Sequence, residues 1–494
     1  MAPVRYIPND PLAIGGPATR STTARRYPRG DIAKFDVSPK ARAGKYDPHT
    51  PEFQHWQAKL ALIAGLHMWR QVDGTYLRRW FGDQRILPVL TDAGDDLNAF
   101  YDRASLQFFS HTFDGVTVNS AESVDVVTHE QGHAFLDAIR PDFFDVPFIE
   151  VGALHESFGD CMAIVNALED QRIRAAVLKA TPDLSASQFV ESVAEALGDA
   201  IAREFGAGNV DVGALRHALN TFQYADPTTL PPDAPSDQLS GEVHNFSRVF
   251  SGAFYDVIRN IYTAGRKKGS TPLRNASRTA GKLLGAAVRI VPAAPGTFSA
   301  VGQRMVQVDV SANRGVNATA IREAFEAHGM TLPAPATSLP VPLPRRTRSG
   351  ASPELRRRLA VPPGTRIELT PVDTDVHGEI SHVSAYRPIP LEGVGLEGVH
   401  VRVPGIARVA TTRRGRSITG VLGEVTSSEG EAAAQARAFA RSLVVNGDVR
   451  TAPRAARRLA APPQPPATRV PHRASHEIRL VDGQPTLVRV GFSS

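Results

Sequence analysis

An α+β fold is predicted for this chain on three observations. Apolar residues recur at helical spacing from Phe53 to Trp69, and again through two stretches between residues 123 and 168. Short β-rich runs such as Ile86-Leu87-Pro88-Val89-Leu90 lie between those helices. From residue 349 onward, strand-like runs alternate with a single Ala-rich helix. The order is therefore a β-containing N-terminal part, a mainly helical middle and a C-terminal α+β extension.

Residues 1–45 are rich in Pro, Gly, Arg and Thr without sustained periodicity, and read as an extended arm or irregular leader. The main domain is placed at residues 46–330. Its first helix carries Phe53, Trp56, Leu60, Leu62, Ile63, Leu66 and Trp69, and strands follow at 86–90, 108–109 and 116–118. Further helices are expected over residues 187–205, 245–263 and 317–328, the last stopped by Gly329. Residues 332–344 hold five prolines in thirteen positions, a semi-rigid linker that sets the boundary region at 331–348. In the extension (349–494), strands are expected at 366–369, 399–403 and 418–421, with a helix over 429–443. A second Arg/Pro/Ala linker covers 451–473, and a hairpin turns at Asp482-Gly483.

The 494 residues suffice for two or three domains. No run of about 18 apolar residues appears, so no membrane span is expected. A basic stretch followed by an apolar core is not visible near the N-terminus, which leaves the compartment open between a cytoplasmic site and export by a non-Sec route. The lone Cys161 excludes a disulfide within the chain and a cysteine zinc cage, and its apolar neighbours read as a buried, inert thiol. The net charge of +6 is unevenly placed. Residues 335–494 hold 23 Arg and no Lys against 13 Asp and Glu, so the rest of the chain is slightly acidic. Nucleic acid is therefore not an expected partner of the main domain. Arg356-Arg357-Arg358 and Arg413-Arg414 could meet nucleic acid or an anionic membrane, but such runs are more often solvated faces, and the partner of the tail stays unknown.

Chemistry concentrates at Thr128-His129-Glu130-Gln131-Gly132-His133. On a helix, residues four apart share a face, so His129 and His133 can direct ring nitrogens at one Zn²⁺ about 2.0–2.1 Å away. Glu130 lies beside the first ligand, where a carboxylate can act on water. An H-E-x-x-H run arises by accident in roughly one chain of this length in fifty, so a third ligand is needed to support the reading. Gly152-Ala153-Leu154-His155-Glu156-Ser157-Phe158-Gly159-Asp160 supplies Glu156 as that ligand, with Asp160 one turn later to orient a ligand histidine.

With these residues the chain resembles the thermolysin-like zinc metallopeptidases, whose pattern is H-E-x-x-H followed by E-x-x-x-D. Asn98-Ala99-Phe100-Tyr101 resembles that family's edge strand, which pairs with substrate backbone. Ala214-Leu215-Arg216 resembles the segment whose Arg binds the substrate carbonyl, and Gly241-Glu242-Val243-His244-Asn245 the segment whose His stabilises the transition state. Ile321-Arg322-Glu323-Ala324-Phe325 resembles the closing helix of the peptidase domain. The matches keep family order over residues 50–330. The resemblance implies a two-lobed peptidase fold, Zn²⁺ on His129, His133 and Glu156, Glu130 as base and His244 as a second catalytic group. It also implies support from Asp160 and Asp137, and substrate contacts from Asn98, Ala99, Val126, Leu215 and Arg216. The implied activity is hydrolysis of internal bonds in peptides or proteins.

Four features depart from the family pattern. The 22-residue gap between His133 and Glu156 is long, and His155 replaces the usual Asn. Phe144 stands near a position where the family has a Tyr. The acid supporting His244 is not evident, Asp237 being the candidate. Calcium is also a family ligand, yet only Asp125 of its acidic clusters is recognisable. Two rival readings remain. An aminopeptidase would need a G-x-M-E-N segment, which is absent. A non-catalytic zinc protein whose basic tail binds a partner would have no use for Glu130.

Overall fold

The computed structural model describes residues 3–332, 348–349, 367–374, 379–411, 418–424, 429–451 and 473–493. Helices and several small sheets are mixed, as expected of an α+β chain. Both Pro-rich linkers fall almost wholly outside the described residues, and so do Arg356-Arg357-Arg358 and Arg413-Arg414.

The first 45 residues are more ordered than their composition predicts. Strands β1 (Pro3–Tyr6) and β2 (Arg20–Thr23) pair antiparallel, and β3 (Lys34–Ser38) alternates exposed and buried residues as the outer strand of a five-stranded sheet. Helix α1 (Pro51–Asp73) follows, capped by the Thr50 side chain at its start and by Gly74 with φ of 78° at its end. Next come β4 (Ile86–Leu90), β5 (Ala99–Tyr101), β6 (Leu106–Phe108) and a two-stranded ribbon of β7 (Ser110–Phe113) and β8 (Val116–Asn119). Strands β3, β4 and β6 run parallel, and β5 returns antiparallel to β6.

Helices α2 (Val124–Ile139) and α3 (Ile149–Ala167) form the centre of the molecule. Trp69 of α1 stacks on Phe135 of α2 at 4.5 Å and meets Phe158 of α3 edge-on, which ties the three helices together. Then follow α4 (Gln171–Ala180), β9 (Ser192–Val193), α5 (Glu195–Phe205), β10 (Arg216–His217), α6 (Val243–Ala264), α7 (Ser270–Val288), α8 (Thr297–Asn313) and α9 (Ala318–Ala327). The helix expected from residue 187 begins only at Glu195. Residues 192–193 are instead committed to pairing with β10, and Ala194 turns the chain with a φ of 57°. Helices α4, α7 and α8 were not anticipated. The inner face of α7 combines Leu273, Leu283, Leu284 and Val288 with the small residues Ala276, Ala280, Gly281 and Ala287.

The extension contains β11 (Arg348–Ser349), β12 (Ile367–Thr374), β13 (Glu379–Pro390), β14 (His400–Thr411), β15 (Ile418–Glu424), α10 (Glu429–Asn446), β16 (Val449–Thr451), β17 (His476–Val481), β18 (Gln484–Arg489) and β19 (Phe492–Ser493). Pro388 and Pro390 conceal β13 from a sequence reading, since proline is scarce inside sheets. Strands β11 to β18 form one sheet, and the β17–β18 hairpin turns on Asp482 and Gly483, both with positive φ. The second arm of that hairpin ends at Arg489. Strand β19 leaves the sheet and pairs with β5 as the outermost strand of the N-terminal sheet. Helix α10 rests on the helical region, where Asn446 donates to the Pro232 carbonyl at 3.1 Å. No helix among the described residues is long and apolar enough to cross a membrane.

Candidate metal centre and cleft

Helix α2 begins at Ser123, whose hydroxyl accepts from the Val126 amide, and all of its residues from Val124 to Asp137 are buried. Its contact with α3 is made close by two glycines. A Cβ on Gly132 would lie 2.8 Å from the Gly159 Cα, and one on Gly159 would lie 2.6 Å from His129 Nδ1. That close crossing brings the carboxylate of Glu156 over the ring nitrogens of α2. His129 Nε2 stands 3.3 Å from Glu156 Oε2, and His133 Nε2 stands 3.6 Å from Glu156 Oε1. Donor atoms held tetrahedrally at 2.0–2.1 Å from zinc would be about 3.3–3.4 Å apart. His129 Nε2, His133 Nε2 and both Glu156 oxygens are buried without a hydrogen-bond partner. Buried polar atoms are normally satisfied, so this convergence fits a cation held between them. Among the described residues, one group meets the spacing of a metal cluster: His129, Glu130 and His133, whose ligand atoms lie within 4.8 Å of one another. This buried group could bind a metal ion.

The surrounding partners orient the rings. His129 Nδ1 meets Asp160 Oδ1 at 3.0 Å. Asp160 in turn accepts from Arg216 Nη2 at 2.8 Å and from the Ser251 hydroxyl at 2.9 Å. His133 Nδ1 and His155 Nδ1 stand 2.8 Å apart, so one imidazole donates to the other. Burial pulls the His129 imidazolium down, but the adjoining Asp160 and Glu156 carboxylates outweigh it and raise its pKa to about 9. Burial and the neighbouring His129 charge hold His133 well below its ordinary value. Burial would raise the acids, yet the cationic groups around Glu156 and Asp160 keep both below the usual carboxylate range. Both carboxylates therefore stay ionised among these cationic groups.

His244 stands beside this frame at the first turn of α6, its Nε2 3.6 Å from Glu156 Oε2. Its supporting acid is Glu242, whose Oε1 lies 2.6 Å from His244 Nδ1. Asp237, the candidate from sequence, is exposed and does not fill that role. Glu242 also caps α6 by accepting from the Asn245 amide, which folds its carboxylate back onto the histidine two residues later. Burial opposes the charge on His244, but Glu242 and Glu156 lift its pKa to about 10.

Asp137 is not brought to the ligands. It accepts from the Tyr101 hydroxyl at 2.8 Å and pairs with Arg103, and so fastens β5 to α2. Phe144 packs edge-on against Tyr101 and His155. Ala99 lies buried in β5, and Val126 is buried on α2. Asn98, at the entrance to β5, is buried with neither side-chain amide atom hydrogen-bonded. Leu215, Arg216, Glu242, His244 and Ser493 line a cavity of about 730 Å³.

A second buried polar group involves Asp125. Asn9 donates to Asp125 at 3.0 Å, and the Asp10 and Glu195 carboxylates lie close enough to repel it. Burial and this repulsion raise the Glu195 pKa to about 10. Asp10 escaped the sequence reading because it comes from the arm, 115 positions before Asp125. Cys161 is buried on α3 and its thiol is raised well above its ordinary pKa by that burial, as an inert thiol should be. No protein-family model matches this chain, and no curated protein matches it.

Proposed function

We propose that the chain is a zinc-dependent endopeptidase of the thermolysin-like kind, with a two-lobed peptidase domain over residues 46–330 that acts on peptides or proteins. One observation carries the reading. Three donor groups from two helices, His129, His133 and Glu156, converge with unsatisfied buried atoms at tetrahedral spacing, beside a glutamate at the family's base position.

Zinc bound there would polarise a carbonyl and lower the pKa of water toward about 7. The chain's own residues would do the rest. Glu130 takes a proton from the attacking water and passes it to the leaving amine. His244, kept cationic by Glu242, donates to the developing oxyanion. Asp160 and His155 fix the two ligand rings through their Nδ1 atoms. Asn98 offers an unsatisfied amide to a peptide backbone. Arg216 spends its Nε and Nη2 on Asp160, so its part is to fix that acid as well as to face the cavity.

The test is Glu130→Gln. Zinc content should stay near one per chain while cleavage of a blocked peptide is lost. Undiminished turnover would overturn the assignment. Of the family's calcium clusters the sequence shows only Asp125, and the structure sets the buried Asp10 and Glu195 carboxylates near it, a group that would suit calcium. Chelation with EGTA should then lower the melting temperature without removing zinc, and an unchanged melting temperature would exclude that ion.

A further inference from the structure

The last strand of the chain lies on the strand that the peptidase reading assigns to substrate. After Arg489 the chain turns away from its hairpin, and the Val490 amide donates to the Ser475 carbonyl at 2.8 Å. Phe492 and Ser493 then pair antiparallel with β5, Phe492 opposite Tyr101 and Ser493 opposite Phe100. Each residue of this short segment meets a feature of the cleft. Gly491 passes so close to β5 that a Cβ would stand 2.7 Å from the Tyr101 carbonyl oxygen and 2.4 Å from the Phe100 ring. Phe492 is 1% exposed. Its ring stacks on His155 at 3.9 Å and on His133 at 4.7 Å, meets Phe144 edge-on at 5.3 Å, and is covered by the Arg489 guanidinium at 4.0 Å. The Ser493 carbonyl accepts from His244 Nε2 at 2.6 Å. A backbone carbonyl of this chain therefore takes the hydrogen bond that His244 would give to a substrate.

Such a segment binds as substrates bind to sheet edges, with main-chain hydrogen bonds for affinity and one side chain in a pocket for register. We propose that Gly491–Ser493 is a built-in occupant of the substrate groove, which keeps the chain closed to peptides until its C-terminal segment is displaced. The proposal rests on the peptidase reading for the identity of the groove. A tethered segment meets its site at an effective concentration on the order of 1 mM, so a free peptide competes poorly with it. The surface is thus specific for an extended peptide with an aromatic residue one position before the carbonyl held by His244.

The test uses a fluorescein-labelled heptapeptide with the sequence of residues 488–494 as probe, and anisotropy as readout. Three forms are compared: the full chain, Gly491→Val, and a chain ending at Val490. The shortened chain introduces no new side chain and so covers the case in which Gly491→Val fails to fold. The heptapeptide should bind both variants at least ~10-fold more tightly than the full chain, because the tether no longer competes. Equal affinity for the full chain and the shortened chain would overturn the proposal. Cleavage of a blocked dipeptide is measured on the same samples, and its rate should rise in parallel with probe binding. A gain in probe binding without cleavage by any form would support the occupied groove and sink the peptidase reading. Cleavage at equal rates in all forms, with equal probe binding, would do the reverse.

Discussion

The floor of the cleft and its wall are built in different ways. The floor comes from α2, α3 and α6, with its ligand atoms supplied by residues 129–156 and its supporting partners by residues 155–251. The wall is β5, held to α2 by Tyr101 and Arg103 on Asp137, and its outer neighbour β19 comes from the far end of the chain, about 390 positions later. Floor positions are fixed by helix periodicity and by two glycines that let α2 and α3 touch. The wall's outer neighbour is instead a distant segment, which can leave while floor and wall survive. On the peptidase reading, chemistry and access are therefore separable.

That separation can be broken most strongly at the floor. Glu156→Ala should cost more than 10²-fold in zinc affinity by competition with a chromophoric chelator, exceeding the loss from removing an outer partner. Asp160→Ala, which frees the His129 ring and strands Arg216, should cost about 10–100-fold in the same assay. Unchanged affinity in the first variant would remove Glu156 from the ligand set. His244→Ala should retain zinc and lower kcat by about 10²–10³-fold, and Glu242→Gln should lower it less in the same direction. A loss confined to KM would contradict a transition-state role. Gly159→Ala should cost about 1–3 kcal/mol in urea unfolding, since its Cβ would lie 2.6 Å from His129 Nδ1.

The smallest effect lies outside the cleft. Burial opposes protonation of His217, but the Glu191 carboxylate at 3.2 Å outweighs it and lifts the pKa to about 9. A pKa raised in the folded state stabilises fully below the unfolded value near 6.5 and fades as pH rises through about 9. Wild type should therefore lose stability between pH 6.5 and 9 relative to His217→Ala, by on the order of 1 kcal/mol. Parallel curves for the two proteins would show that the pair carries no such linkage.

Legibility in the sequence follows the range of each interaction. His129, Glu130, His133, Glu156 and Asp160 stood out because helical spacing alone puts them on facing surfaces. Glu242 was overlooked in favour of Asp237, since the fold of a capping residue back onto a histidine two positions later leaves no periodic trace. The resemblance put Asp137 among the residues that support the site, but it points to Tyr101 and Arg103. The mixed α and β order was readable, whereas β13 was masked by its prolines. The arm looked irregular in composition, yet β1, β2 and β3 are held by partners that only the tertiary structure supplies. Gly491 and Phe492 had no local signature. Their role rests on β5, and a strand two residues long carries no pattern of its own.

On the proposed reading, two imidazoles and one carboxylate hold zinc. X-ray absorption at the zinc edge of the full chain reads that directly. Four light ligands at about 2.0–2.1 Å, two of them imidazoles and none a sulfur, are predicted. A third imidazole, or a chain that takes up no zinc, would contradict it.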